Sequence, residues 1–122
     1  MRAFREAVEA RNLAAVTELL APDVVFNSPV SFKPYHGRDQ VGFILATVAQ
    51  VFEDFVYVDE LETGLHSELR FRARVGDRAV EGVDLIERDE AGSIRTLTVM
   101  VRPLSGLQAL AEAMAARFGK TR

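Results

Sequence analysis

The sequence contains no cysteine and only two histidines, His36 and His66. The lack of cysteine excludes disulfides, thiolate nucleophiles and cysteine-built zinc or iron–sulfur sites. No apolar run approaches the roughly 20 residues that a membrane-spanning helix needs. Phosphate-binding glycine loops, nucleotide fingerprints and nucleophile elbows are also missing. We therefore expect no metal site and no cofactor.

Neither positive nor negative charge is in large excess. The 122 residues include 15 Lys and Arg and 18 Asp and Glu, for a formal net charge of −3. Because acidic and basic residues are interspersed, we expect no strong attraction to nucleic acid or to anionic lipid. Residues 1–6 are charged and lack the apolar stretch of a secretory signal. These features predict a cytoplasmic protein that binds neither nucleic acid nor membranes.

The amount of hydrophobic sequence is ordinary for a globular protein, at 48%, with 27% charged residues. The chain is long enough to bury one core and too short to divide into two stable units. No internal repeat is visible. We therefore predict a single domain over residues 1–122.

Helical spacing of apolar residues occurs in four places. It predicts a first helix around residues 4–8, a second that Asn12 caps, and a third that begins near Arg38. A last helix is predicted after residue 103, with Ser105 and Gln108 in capping-box positions.

From Phe55 onward the apolar residues alternate with polar ones, which is typical of strands. Four such runs follow one another, separated by turns at Gly64, Gly76 and Gly92. In the last run, residues 94–102, neither face is strongly charged, so we expect both faces to be covered. The order of elements predicts an α+β domain in which a curved antiparallel sheet wraps around three helices, with an added C-terminal helix.

A family pattern is carried by five segments: APDVVF at 21–26, SP at 28–29, YHGRDQV at 35–41, Asp84, and EAGSI at 90–94. Their order and spacing resemble the nuclear-transport-factor-2-like (NTF2-like) superfamily, and in particular its ketosteroid-isomerase and polyketide-cyclase (SnoaL-like) branch. The resemblance runs from about residue 4 to residue 102. It implies a cone-shaped domain with a deep pocket, often assembled as a homodimer through the outer face of the sheet.

The same resemblance indicates which catalytic positions of the isomerases this chain keeps. The catalytic aspartate of that group falls on Ser28, and the tyrosine donor of the first helix falls on Phe4. Two supporting tyrosines fall on Leu20 and Leu45. Only the second acid of the isomerase site has a match, at Asp84. Classical ketosteroid isomerase activity is therefore not expected.

Asp84 is the first catalytic candidate. Strand alternation places it on the same face as Val80 and Ile86, inside the predicted cone. Burial raises the pKa of a carboxyl group, which allows it to act as an acid near neutral pH. The alternative is a structural carboxylate that is hydrogen-bonded to the backbone or paired with arginine. His36 is the second candidate, either as the partner of Asp84 in an acid–base pair or as a brace where the third helix begins.

The pocket is predicted to be apolar, with few polar groups. Asn27 and Ser28 are candidates to orient a ligand oxygen, and Tyr35 is a candidate to line the mouth. Such a pocket suits a small hydrophobic molecule with one oxygen function, such as a polyketide, terpenoid or steroid-like carbonyl compound. The other predicted lining residues are Phe4, Val8, Leu20, Leu45, Leu69, Phe71, Ile86, Leu97 and Val99.

The sequence leaves three functions open. The first is a cyclase-like or isomerase-like enzyme that uses Asp84, and the second is a non-catalytic module that binds an apolar molecule. The third is an interaction module that forms a homodimer through Thr96, Thr98, Met100 and Arg102 on the outer face of the sheet. A cone filled completely by its own side chains is the alternative to any pocket.

Overall fold

The computed structural model describes residues 1–119, in which four helices and six strands are formed. The elements are α1 (Arg2–Glu9), α2 (Leu13–Leu19), β1 (Leu20–Asn27), β2 (Tyr35–His36), α3 (Arg38–Val51), β3 (Glu53–Thr63), β4 (His66–Val75), β5 (Arg78–Arg88), β6 (Ile94–Arg102) and α4 (Leu104–Gly119). The α+β fold predicted from the sequence is confirmed.

The first two helices meet at a turn whose hydrogen bonds are made mainly by the backbone. The Arg11 amide donates to the Val8 carbonyl (3.0 Å), and the Asn12 amide donates to the Ala7 carbonyl (2.9 Å). This is the pattern of a Schellman motif, in which the residue after the helix is left-handed, and Arg11 accordingly has φ 57°. The Asn12 side chain then accepts a hydrogen bond from the Ala15 amide (3.1 Å), so the predicted cap of the second helix is confirmed.

The six strands form one sheet in the order β2-β1-β6-β5-β4-β3. All neighbouring strands are antiparallel except β1 and β6, which run parallel, with Phe26 beside Leu97. The sheet is therefore mixed rather than wholly antiparallel. The parallel pair arises because the chain enters the sheet at β1, leaves it for α3, and returns at the far edge with β3.

The two faces of the sheet differ in character. Cross-strand pairing places Leu69, Asp84 and Val99 side by side on the inner face, which the helices cover. The largest fully buried side chains belong to this inner core: Phe71, Leu20, Leu69, Ile86, Ile94, Leu97 and Leu110. The core is thus formed by the inner face of the sheet together with the helices packed on it.

One prediction about the C-terminal part of the chain, the cap of its last helix, is wrong. The helix α4 begins at Leu104, and the Leu107 amide donates to the carbonyl of Pro103 (3.0 Å). Ser105 therefore lies inside the first turn and is not the cap. Within residues 1–119 the outer face of β6 is not covered, because α4 packs on the inner side and Met100 remains 54% exposed, so cover for this face stays a prediction. No described helix has the length and apolar character needed to cross a membrane.

Candidate ligand-binding and catalytic site

A cavity of about 130 Å³ lies between the inner face of the sheet and the four helices. Its wall, as formed by residues 1–119, is apolar apart from four side chains, those of Arg11, Ser28, Tyr57 and Asp84. The apolar lining is formed by Phe4, Val8, Leu13, Val16, Phe26, Pro29, Val30, Ile44, Leu45, Val48, Ala49, Phe52, Phe55, Phe71, Leu97, Val99, Leu110 and Met114. A cavity of this composition suits an apolar ligand that carries a small number of polar groups.

Asp84 and Tyr57 form a hydrogen-bonded pair in this wall. The Tyr57 hydroxyl donates to Oδ2 of Asp84 over 2.6 Å, and the two residues are 3% and 6% exposed, respectively. Asp84 comes from β5 and Tyr57 from β3, so the hydrogen bond passes across the inner face of β4. It is the only side-chain hydrogen bond of Asp84 within the described residues, which leaves Oδ1 for a ligand.

Burial controls the ionisation of both groups. Loss of solvent around the carboxyl group raises the pKa of Asp84 to about 7, although the hydrogen bond from Tyr57 acts in the opposite direction. Burial, followed by the negative charge of Asp84, raises the pKa of Tyr57 well above 10.0. Near neutral pH, Asp84 therefore occurs in both its acidic and its basic form, while Tyr57 remains a hydrogen-bond donor.

Aromatic packing and backbone contacts hold Tyr57 in place. Its ring meets Phe55 edge-on, with centroids 4.9 Å apart, and Phe71 edge-on at 6.3 Å. The Tyr57 amide donates to Glu9 (3.3 Å), and the Tyr57 carbonyl accepts from Arg5 (3.4 Å), so α1 contacts the backbone at this residue. The phenol is therefore positioned from two sides.

A glycine in β5 provides the space for this aromatic group. A Cβ atom added at Gly82 would lie 2.4 Å from the Met100 carbonyl oxygen and 2.5 Å from Cζ of Phe71. Because such distances are far below van der Waals contact, no larger residue fits without displacing Phe71 or the β6 backbone. Gly82 therefore allows the Phe71 ring to lie against β5, beside Tyr57.

Comparison with known proteins identifies the family. The model of the SnoaL-like domain matches residues 1–97. The chain belongs to the SnoaL-like family. The resemblance inferred from the sequence is thus confirmed. None of the curated proteins compared with it matches.

Solved structures support the same assignment. A steroid delta-isomerase from Pseudomonas aeruginosa is 45% identical, with 97% of this chain and 88% of that protein covered and a TM-score of 0.92. A protein from Silicibacter pomeroyi, described as conserved in bacteria with a cystatin-like fold, is 37% identical over 95% of this chain and 82% of its own, also with a TM-score of 0.92. A hypothetical protein from Catenulispora acidiphila with a ketosteroid isomerase-like fold, 18% identical over 91% and 90% with a TM-score of 0.68, shows the fold alone.

Eight of the residues singled out from the sequence line the cavity of this SnoaL-like chain. They are Phe4, Val8, Ser28, Leu45, Phe71, Asp84, Leu97 and Val99. Among them, Ser28 accepts a hydrogen bond from the Val30 amide through its hydroxyl oxygen (3.0 Å), which leaves the hydroxyl hydrogen available to a ligand.

Five other predicted lining residues do not reach the cavity. Leu20, Leu69 and Ile86 are almost fully buried in the core, where neighbouring side chains surround them. Tyr35 stacks on Phe26, with ring centroids 6.3 Å apart. Asn27 lies on the outer face of the sheet, since it follows the inward-facing Phe26, and it donates to the Thr98 hydroxyl (2.9 Å). Asn27 and Tyr35 thus contribute to structure rather than to the cavity wall.

The structure does not bring His36 and Asp84 together. Two strands, β1 and β6, separate β2 from β5, which corresponds to about 14 Å at about 4.8 Å per strand spacing. His36 pairs with Val25 and is exposed, whereas Asp84 is on the inner face. The predicted acid–base pair of His36 and Asp84 is therefore wrong, because alternation along β2 turns the imidazole to the outside.

Sequence reasoning missed Tyr57, the partner that Asp84 does have. A signal was present, because Tyr57 is one of only two tyrosines and stands two residues after Phe55 in an alternating run. Alternation places both rings on the inner face, opposite Phe71 of β4. The contributions of α4, through Leu110 and Met114, were also missed, since nothing local indicates where a closing helix packs.

Proposed function

We propose that this SnoaL-like protein binds a small apolar carbonyl compound in its cavity and catalyses proton transfer at the carbon next to the carbonyl group. The observation that carries the proposal is the buried Asp84–Tyr57 pair in an otherwise apolar wall. The pKa of Asp84, at about 7, matches the range in which a general acid–base group works best near neutral pH. Tyr57 donates to the carboxylate and so holds the basic form in place.

The proton transfer uses one carboxyl group in two forms. The Asp84 carboxylate removes a proton from the carbon beside the carbonyl, and the electron pair of that C–H bond forms the enolate C=C bond. Charge builds up on the carbonyl oxygen, where the free hydroxyl hydrogen of Ser28 can donate. The protonated Asp84 then returns the proton to carbon, at the same position or at another one within reach, and the carboxylate is regenerated.

The size of the cavity supports a small ligand. An engineered apolar cavity of about 150 Å³ in another protein holds one benzene molecule. The cavity here is about 130 Å³, which corresponds to a single ring. A four-ring steroid would fit only if the helices moved apart. Of the polyketide, terpenoid and steroid-like carbonyl compounds expected from the sequence, one with a single ring therefore agrees best with the size of the cavity.

Hydrogen–deuterium exchange tests this proposal without knowledge of the natural substrate. Cyclohexanone in D2O exchanges the hydrogens beside its carbonyl, and NMR follows their loss. We expect the protein to accelerate exchange in a saturable way, and we expect Asp84→Asn to abolish the acceleration. Asp23→Asn removes an exposed carboxyl group and is the matched control. Equal exchange rates for the wild type and Asp84→Asn would refute the catalytic role.

A second function, binding without catalysis, is favoured by a specific feature of the wall. Within residues 1–119, Asp84 is the only acidic side chain in the lining, and Ser28 stands where the isomerases have their catalytic aspartate. In that case cyclohexanone would bind with a measurable Kd, and neither the wild type nor Asp84→Asn would accelerate exchange. The same NMR experiment therefore separates the two functions.

Homodimer formation is a further proposal, and it is compatible with either function. The outer face of the sheet exposes Leu61 (64%) and Met100 (54%). A broad depression of about 610 Å³ lies on this side, with Leu61, Leu85, Thr96 and Thr98 among its lining residues. The face also carries rows of both basic and acidic side chains, such as Arg70 and Glu81, so that it can complement itself about a two-fold axis.

A further inference from the structure

Arg11 differs from every other residue of the cavity wall. Among residues 1–119 it is the only basic side chain in the lining, and it is exposed, so it stands at the mouth. Its guanidinium forms no ion pair or hydrogen bond with any residue of 1–119. Arg11 lies in the exposed turn between α1 and α2, whereas Asp84 is 6% exposed on the inner face of β5, so the two charged groups stand at the open and the buried parts of the wall.

Arg11 also stands out by its left-handed backbone conformation. With φ 57°, it occupies the left-handed position of the Schellman motif, where glycine or asparagine is preferred. An arginine is conformationally unfavourable there, and it contributes no hydrogen bond from its side chain to the fold. Its position places a planar donor of up to five N–H groups beside the opening.

We infer that Arg11 binds the carboxylate of an amphipathic ligand whose apolar ring occupies the cavity. The ligand class is then a small cyclic keto acid, with its carbonyl directed toward Asp84 and its carboxylate at the mouth. A guanidinium matches a carboxylate with two parallel hydrogen bonds, which gives orientation as well as affinity. In the part of the chain that the structure describes, Asp84 is the only other charged side chain of the wall, so no exposed acid of the wall competes for Arg11. This inference rests on the proposed function, whose site it extends.

The test uses 3-oxocyclohexanecarboxylate and its methyl ester, which share a ring and a ketone but differ in charge. Binding of each is measured by NMR titration at low ionic strength, and the readout is the ratio of the two Kd values. We expect the wild type to prefer the carboxylate roughly fivefold, as for a charged hydrogen bond at a partly exposed site. Arg11→Gln should reduce the preference to about one, whereas Arg11→Lys should keep roughly twofold.

The ratio of the two Kd values separates carboxylate recognition from damage to the fold, because damage weakens the binding of both probes equally. A carboxylate preference that is unchanged in Arg11→Gln would overturn the inference. If exchange of the ester hydrogens still depended on Asp84 in that case, the proposed function would stand without it. If neither probe bound the wild type, the inference would fail, whereas cyclohexanone exchange would still decide the proposed function.

Thermal stability supplies a further readout. Arg11→Gly removes the guanidinium and relieves the left-handed strain. We expect its Tm to rise by roughly 3–6 °C while the carboxylate preference is lost. A fall in Tm would show that Arg11 supports the fold instead, and would count against the inference.

Discussion

Replacement of Asp84 by asparagine should change how the stability of the protein depends on pH. Asparagine has nearly the shape of the neutral carboxylic acid and can still accept the hydrogen bond from Tyr57. It cannot ionise, so the cost of placing a charge in the cavity wall disappears. A comparison of the two proteins over a range of pH isolates that cost.

The sign and size of the effect follow from the pKa values. The pKa of Asp84 is about 7 in the folded protein against 3.8 as the ordinary value. Between these pH values the folded protein binds more protons at this site than the unfolded chain, so the free energy of unfolding falls as the pH rises. The stabilisation is complete below about pH 4 and is lost above about pH 7. At about 1.4 kcal/mol per pH unit, the loss amounts to roughly 4 kcal/mol.

Urea unfolding at several pH values between 4.5 and 8 measures this difference. We expect Asp84→Asn to gain up to about 3 kcal/mol over the wild type between pH 4.5 and 8, since part of the total loss already occurs below pH 4.5. Any free-energy cost of the asparagine amide group itself is the same at every pH. It therefore shifts the stability of Asp84→Asn by a constant amount and leaves the dependence on pH intact. Asp23→Asn, which alters an exposed carboxyl group, should follow the wild type. Parallel curves for Asp84→Asn and the wild type would refute the reasoning.

Three other changes test the site and its surroundings. Tyr57→Phe removes a hydrogen bond that lowers the pKa of Asp84, so the pH midpoint of cyclohexanone exchange should rise above that of the wild type; an unchanged midpoint would contradict the pairing. Gly82→Ala should lower the free energy of unfolding, measured in urea, by about 1–3 kcal/mol, because its Cβ would lie 2.4 Å from the Met100 carbonyl oxygen. Gly42→Ala is the control and should cost less, because its nearest contact is 3.0 Å. Met100→Glu should convert a dimer to a monomer in sedimentation experiments, and a wild type that is monomeric at all concentrations would reject the dimer.

The sequence predicted the four helices and the strands β3 to β6, because the signals for these elements are local. The spacing of the apolar residues changes from helical to alternating after α3. The turns at Gly64, Gly76 and Gly92 separate the strands as expected. The parallel pairing of β1 with β6 was not predicted, since the two strands are far apart in the chain. A periodic pattern shows which face is buried but not which strand lies next to it.

The same limit explains the errors at the site. Alternation correctly placed Asp84 on the inner face, yet its partner depended on cross-strand geometry. Tyr57 reaches Asp84 because two registers, β3 with β4 and β4 with β5, bring the residues to the same part of the inner face. His36 was paired with Asp84 on chemical grounds, without knowledge of the two strands between them. The size of the cavity could not be predicted either, because it depends on how α4 packs over the sheet.

The energetics of Asp84 favour a functional role over a structural one. A buried carboxyl group that costs roughly 4 kcal/mol when ionised removes a large share of the stability of a typical domain, which is about 5–15 kcal/mol. Its hydrogen bond from Tyr57 offsets only part of that cost, since the pKa of Asp84 still rises to about 7. An asparagine at this position would avoid the cost of ionisation and would still accept the hydrogen bond from Tyr57. A carboxyl group maintained at such a cost, in contact with a cavity, is typical of sites that move protons.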